Sequence, residues 1–93
     1  MFHMEQEITE LIKKHQNWQR VENTLVGNWK CADFAQLRQL VVGICDLAEE
    51  LNHHPTVTFG FNTLHVATTT HDAENQITAK DIELATRISD LIT

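Results

Sequence analysis

The length, composition and charge of the chain exclude several classes of protein. Its 93 residues have room for one domain, residues 1–93, whose thin core makes self-association a natural way to bury apolar surface. A net charge of −6 argues against nucleic acids and anionic membranes as partners, because both attract basic proteins. The longest apolar run, Leu40 to Cys45, is too short to cross a bilayer.

The first residues and the cysteines indicate the compartment. Residues 1–7 show no basic stretch followed by an apolar run, so they do not predict a secretory signal. Cys31 and Cys45 form neither a disulfide framework nor a metal-ligand spacing. A reduced, cytoplasmic setting is therefore the expectation.

The first third of the chain predicts one helix and two strands. Apolar residues at helical spacing predict a helix over residues 5–15. Alternating residues then predict short strands over residues 18–21 and 25–31, joined by a turn at residues 22 and 23.

A second helix over residues 34–51 is the clearest element. Asp33 is its expected N-cap, and Gln36 is the matching capping-box residue. Apolar residues recur at spacings of three and four along the helix and form one continuous stripe. Leu40 and Leu47 widen this stripe beyond what packing on one sheet requires. The extra width is explained either by a helix–helix contact between subunits or by a broad core-facing stripe.

Two further strands, residues 57–61 and 64–70, are predicted to form a hairpin with a two-residue turn at residues 62 and 63. This turn places Phe61 opposite Leu64 and puts the apolar side chains, Phe61 included, on one core-facing side. Beyond the hairpin, Thr78 caps a last helix whose apolar face is formed by Ile82, Ala85, Ile88 and Ile92.

The same hairpin register predicts a cluster of histidines. Continued beyond the strands, it places His54 directly opposite His71, with His53 beside them opposite Asp72. His65 lies roughly 20 Å along the strand and is excluded from the cluster. Histidine side chains titrate near neutral pH, so such a cluster offers proton donors and acceptors together.

Two other interpretations of the histidines remain open at this point. Histidines on strands are commonly solvated surface residues, and a metal site is the second alternative. Adjacent histidines suit one metal ion poorly, and neither an i,i+4 histidine pair nor a cysteine pair is present. Neither a metal nor a cofactor is therefore predicted.

The segment from Glu49 to Pro55 resembles the signature of the pterin-4a-carbinolamine dehydratase family. That signature is an acidic residue, three positions, His-His-Pro, an aromatic residue, a later histidine and a later aspartate. It is filled in order by Glu49, His53, His54, Pro55, Phe61, His71 and Asp81. Further matches extend over nearly the whole chain beyond the first dozen residues, at Trp18, Asp33-Phe34, Thr70 to Ala73 and Asp81 to Ala85.

The chain departs from the family pattern in three places. Val57 stands where some members carry a tryptophan near the pterin, and Asn52 stands where others carry aspartate. The loop of residues 74–76 lacks the glycines usual there and is one residue longer. These departures bear on substrate affinity and on the placement of Asp81.

The resemblance implies an α+β fold of order α-β-β-α-β-β-α, with a four-stranded antiparallel sheet and helices packed on one face. It implies dehydration of 4a-hydroxytetrahydropterin to quinonoid dihydropterin in tetrahydropterin recycling. It also implies assembly as a homodimer through the sheet edge or as a homotetramer through helices. The only small-molecule partner expected is the pterin.

By the same resemblance, the catalytic residues are His53, His54 and His71. His53 and His71 form the acid/base pair, and His54 binds and orients the substrate. The substrate-binding residues are Glu49, Asn52, Thr70 and Asp81, of which Glu49 and Asp81 orient histidines. For both carboxylates a purely structural role is the alternative: Glu49 as an exposed end-of-helix residue, and Asp81 at a helix N-terminus that favours a carboxylate.

A second class of function stays open. Animal members of the family also bind a transcription factor as a dimerisation cofactor. The chain could therefore be a non-catalytic binding module or a maturation helper with a vestigial pterin site. The complete histidine set favours the enzyme, and a dehydration assay would separate the two.

Overall fold

The order of helices and strands agrees with the predicted α-β-β-α-β-β-α arrangement. The computed structural model describes residues 3–92, and of His3 only the backbone. A short 3₁₀ turn at His71–Ala73 precedes the last helix. The other elements are α1 His3–Lys14, β1 Trp18–Val21, β2 Thr24–Lys30, α2 Phe34–Leu51, β3 Thr56–Phe59, β4 Thr63–Thr68 and α3 Ala79–Ile92.

The strands form one antiparallel sheet in the order β1-β2-β4-β3. Along the central strands, buried side chains such as Leu25, Leu64 and Val66 alternate with more exposed ones, so one face of the sheet is buried. The helices cover that face: the indole N–H of Trp18 donates to the hydroxyl of Ser89 on α3 at 2.8 Å. The antiparallel α+β architecture predicted from the sequence is confirmed.

The second helix begins and ends where the sequence predicts. Asp33 has extended backbone, and its Oδ1 accepts from the Gln36 N–H at 2.8 Å. The Gln36 side chain accepts from the Ala32 N–H at 2.7 Å, one residue before the donor expected in a capping box. At the other end Asn52 is left-handed, with φ 52°, and the His53 N–H returns to the Ala48 carbonyl oxygen at 3.0 Å. This tight reversal places His53 and His54 immediately after the end of the helix.

The predicted hairpin register is wrong by two residues. Phe59, not Phe61, faces Leu64, and the turn spans residues 60–62. The common two-residue hairpin turns need positive φ at the first central residue, as the turn between β1 and β2 has at Glu22. Neither Asn62 nor Thr63 has positive φ. Phe61 therefore lies in the turn with 72% of its surface exposed, and its assignment to the core is also wrong.

The corrected register removes two predicted pairings beyond the hairpin. Because a shift of two residues keeps every side chain on its face, the predicted faces of β3 and β4 survive. The strand pairing ends at Thr56 and Ala67, so His54 does not face His71 and His53 does not face Asp72 across a ladder.

The width of the α2 stripe is explained mainly by the core. Leu40 and Leu47 are half-buried and pack against the buried cluster. Three exposed apolar side chains on and beside α2 are Phe34, Val42 and Phe59, which are 46%, 53% and 50% exposed and are called here the apolar patch. Within residues 3–92, no helix has both the length and the apolar character needed to cross a membrane.

Candidate active site

A pocket of about 210 Å³ lies where the end of α2, the end of β4 and the start of α3 meet. It contains five of the seven residues predicted for the site. The other two, Asp81 and Glu49, are hydrogen-bonded to histidines of the pocket. The residues that line it are Asn52, His53, His54, Thr69, Thr70, His71, Asp72 and Lys80. The segments predicted to converge therefore do so, although not through the predicted strand pairing.

Asp81 is the buried anchor of this region. It lies in the first turn of α3 and is fully buried. Its Oδ1 accepts from the Thr68 hydroxyl and from His53 Nε2, both at 2.6 Å. Its Oδ2 accepts from the Thr70 hydroxyl at 2.6 Å and from the Thr78 N–H at 2.9 Å. Four donors fill the acceptor capacity of one carboxylate, so Asp81 joins the helix start, the strand end and His53.

These hydrogen bonds decide the charge of Asp81. Burial by itself would raise the pKa of Asp81, because it penalises the charged form. The hydrogen bonds from Thr68, Thr70, His53 and the Thr78 N–H together outweigh burial and hold the pKa below its usual value of 3.8. Asp81 is therefore an ionised carboxylate at neutral pH. Both roles considered for it, helix capping and orientation of a histidine, occur together.

His53 is held in one orientation by this carboxylate. It is only 8% exposed, and its Nε2 lies 2.6 Å from Asp81 Oδ1. An ionised carboxylate only accepts hydrogen bonds, so Nε2 carries the hydrogen and Nδ1 is left to gain or lose a proton. No described residue bonds Nδ1, and among those residues no buried polar side-chain atom is without a partner. Nδ1 is therefore open to the pocket.

His54 and Glu49 form a second, solvated pair. His54 Nε2 lies 3.1 Å from Glu49 Oε2, and the two side chains are 59% and 79% exposed. Glu49 lines a neighbouring apolar pocket with His54, Cys45 and Val57 rather than the histidine pocket itself. The bond orients the His54 ring between the two pockets, but its exposure makes it weak.

His71 is exposed and begins the 3₁₀ turn. Its Nδ1 lies 2.8 Å from Oδ1 of Asn75. His65 is not among the residues that line the pocket; its Nδ1 lies 2.8 Å from Oδ1 of Asn28 on the helix-free face of the sheet.

The two remaining predicted residues differ in what they can offer a ligand. The Thr70 hydroxyl is occupied by Asp81 and Thr78, and its N–H donates to Gln76. Its carbonyl oxygen accepts from Ala73 and has one further lone pair to offer. The side-chain amide of Asn52 makes no hydrogen bond to any described residue, so it is free to meet a ligand.

Thr68, Thr69 and Lys80 are residues of the region that sequence reasoning missed. Lys80 brings a positive charge to the pocket rim, and Thr68 donates to Asp81. The signal for Thr68 was present: two threonines, Thr68 and Thr70, occupy core-facing positions of a strand, where each hydroxyl needs a buried acceptor. Lys80 had no comparable signal, because a lysine in the first turn of a helix usually points to solvent. In the described part of the chain, no three His, Cys, Asp or Glu side chains cluster as metal ligands would.

Fold and pocket together define a small α+β protein with a histidine pocket backed by a buried carboxylate. The chain belongs to the pterin 4 alpha carbinolamine dehydratase family, whose family model matches residues 3–91. A candidate pterin-4-alpha-carbinolamine dehydratase of Sulfurisphaera tokodaii is 35% identical over 89 residues, covering 96% of this chain and 95% of the relative. Another, from Thermomicrobium roseum, is 34% identical and covers 90% of this chain and 89% of the relative.

Two solved structures share the fold. The transcriptional coactivator/pterin dehydratase from Brucella melitensis matches with a TM-score of 0.85 at 27% identity and covers 96% of each chain. A pterin dehydratase-like RuBisCO assembly factor of the alpha-carboxysome matches with a TM-score of 0.67, covering 81% of this chain and 86% of its own. At 20% identity, the second likeness shows the fold alone.

Proposed function

We propose that the protein dehydrates a 4a-hydroxytetrahydropterin to the quinonoid dihydropterin by histidine acid–base catalysis. The observation that carries the proposal is the pairing of His53 with the buried, ionised Asp81 at a pocket that His71 also lines. Membership of the pterin 4 alpha carbinolamine dehydratase family supports the substrate class.

The chemistry requires two proton transfers. As the C4a–O bond breaks, a proton must reach the departing hydroxyl oxygen and another must leave ring N5, whose electron pair forms the new double bond. His53 suits the base, because the Asp81 carboxylate on Nε2 stabilises the positive charge that the ring acquires when Nδ1 takes a proton. His71, exposed at the pocket rim, then serves as the acid. Each positioned group contributes about 10²–10⁴-fold.

Four other residues bind and orient the substrate in this proposal. His54, held by Glu49, forms the wall between the polar and the apolar pocket, where it contacts the pterin ring. Asn52 offers its free side-chain amide, and Thr70 offers its carbonyl oxygen. Both groups match the donors and acceptors along the edge of a pterin ring.

Purified protein is expected to accelerate the dehydration of synthetic 4a-hydroxytetrahydropterin without added metal. The physical reason is that imidazole rings in their neutral and protonated forms supply both proton transfers. The rate is measured before and after dialysis against a chelator. Full activity after dialysis agrees with the proposal, whereas complete loss restored by zinc would contradict it.

The same assay decides the alternative of a binding module with a vestigial pterin site. Absence of any acceleration by folded wild-type protein would favour that alternative over the enzyme. Acceleration by the wild-type protein would support the enzyme and would be compatible with an additional binding role. The natural role proposed is recycling of tetrahydropterin in the cytoplasm, where the free thiols of Cys31 and Cys45 remain reduced. Binding of nucleic acid is not expected at a net charge of −6.

We also propose that the protein is a homo-oligomer. The 93-residue domain has a thin core, and the apolar patch of Phe34, Val42 and Phe59 remains exposed. Sedimentation at micromolar concentration is expected to show a dimer or tetramer, and Val42→Asp is expected to weaken the assembly. A wild-type protein that sediments only as a 10.7 kDa monomer would rule this out.

A further inference from the structure

The loop that follows His71 has an uncommon backbone. Glu74 and Asn75 are consecutive left-handed residues, with φ values of 56° and 59°. Side chains other than glycine rarely adopt this conformation, although asparagine tolerates it better than glutamate. Two such residues in succession need a contact that holds them, and one is present: the Asn75 side chain turns back to the His71 ring, with Oδ1 and Nδ1 2.8 Å apart.

His71 differs from the other two pocket histidines in its partner. His53 is bonded to the carboxylate of Asp81 and His54 to that of Glu49, whereas His71 is bonded to a neutral amide. An amide oxygen accepts a hydrogen bond without adding charge. It therefore selects the ring nitrogen that carries the hydrogen.

We propose that Asn75 is a positioning residue that sets the orientation and the tautomer of His71. Its Oδ1 accepts from Nδ1–H, so Nε2 is the nitrogen that gains and loses the proton on the pocket side. The catalytic part of this inference rests on the proposed function of His71. The left-handed backbone at residue 75 is the geometry that lets a side chain four positions later reach back to the ring.

Two variants separate the hydrogen bond from the backbone. In Asn75→Gly the left-handed conformation is kept at no steric cost, and the acceptor is removed. In Asn75→Asp an oxygen acceptor remains. Glu74→Gly is the matched control, because it changes the neighbouring left-handed residue, and the main-chain N–H that bonds the His71 carbonyl oxygen at 3.1 Å is retained.

The first readout is the ¹⁵N chemical shift of both His71 ring nitrogens in ligand-free protein, at a pH where the ring is neutral. In the wild type, in Glu74→Gly and in Asn75→Asp, Nδ1 is expected to be protonated and Nε2 unprotonated. In Asn75→Gly a mixture of both tautomers is expected. An Asn75→Gly protein with the wild-type shifts would overturn the proposal.

The second readout is steady-state dehydration. Asn75→Gly is expected to lower kcat by about tenfold or more with KM within about twofold, while Glu74→Gly retains most of the rate. An equal loss in Glu74→Gly would assign the effect to the loop backbone and overturn the hydrogen-bond role. An unchanged kcat in Asn75→Gly with a changed tautomer would overturn the catalytic part. A wild type without activity would refute the proposed function, while the chemical shifts would still test Asn75.

Discussion

Replacement of His53, His54 or His71 by alanine is expected to lower kcat/KM for 4a-hydroxytetrahydropterin by about 10²-fold or more in each case. The reason is that the three rings line one pocket, where the proposed function has His53 and His71 transfer protons and His54 orient the substrate. His53→Ala is expected to act mainly on kcat, because its ring is buried and bonded to Asp81 rather than available for extensive substrate contact. The rates are measured with synthetic substrate, and folding is followed by circular dichroism.

His65→Ala is the matched control for this series. His65 lies on β4, where it is bonded to Asn28 outside the pocket, so its removal is expected to leave the rate nearly unchanged. An equal loss of activity in His65→Ala, with folding intact, would mean that the pocket is not the site of reaction. Activity retained in both His53→Ala and His71→Ala would mean that the acid–base roles are assigned wrongly.

Asp81→Asn is expected to lower the free energy of unfolding by about 3–5 kcal/mol. The carboxylate is fully buried and accepts four hydrogen bonds, from Thr68, Thr70, His53 and the Thr78 N–H. An amide at the same place removes the charge and presents an N–H₂ group to donors, so buried polar groups lose their partners. Urea unfolding of the two proteins at neutral pH measures the difference.

Asp46→Asn is the control for this substitution. Asp46 is an exposed carboxylate on α2, and the same change there is expected to alter stability by no more than about 0.5 kcal/mol. A similarly small effect of Asp81→Asn would show that the buried network contributes little to stability.

The stabilisation by Asp81 is also expected to depend on pH in a defined direction. The pKa of Asp81 is lower in the folded protein than its usual value of 3.8, so the folded state binds the proton less readily than the unfolded chain. The resulting stability is fully present above pH 3.8 and is lost as the pH falls through the folded-state pKa. The stability difference between wild type and Asp81→Asn should therefore narrow below pH 3.8. A difference that stays constant into that range would contradict the lowered pKa.

Local patterns were sufficient for much of the fold. The bounds of β1 agree with the prediction, and those of α2 follow from the N-cap Asp33 and from the residue that ends the helix, Asn52. Helix caps hydrogen-bond backbone groups only a few positions away along the chain, so they can be predicted from the sequence. The hairpin register failed for a local reason as well: the turn was assigned from residue types without the positive φ that a two-residue turn demands.

The candidate site also has features that the sequence predicts and features that only the structure shows. The sequence by itself determined which histidines belong to it, because the His-His-Pro segment and the later histidine stand in a recognisable order. The bond between His71 and Asn75 joins residues only four positions apart, but no sequence pattern predicted it. The contact depends on the left-handed backbone at residue 75, which no residue pattern specifies.

Only the tertiary structure decided the partners of the buried groups, His53, Thr68 and Thr70. His53 and Asp81 are 28 positions apart, and they meet because α3 packs against the end of β4 and carries the carboxylate under the histidine. The same packing places Thr68 and Thr70 on that carboxylate and so decides that it is ionised. No local pattern encodes this arrangement, since the hydrogen bonds of a buried carboxylate depend on which distant donors the fold brings within reach.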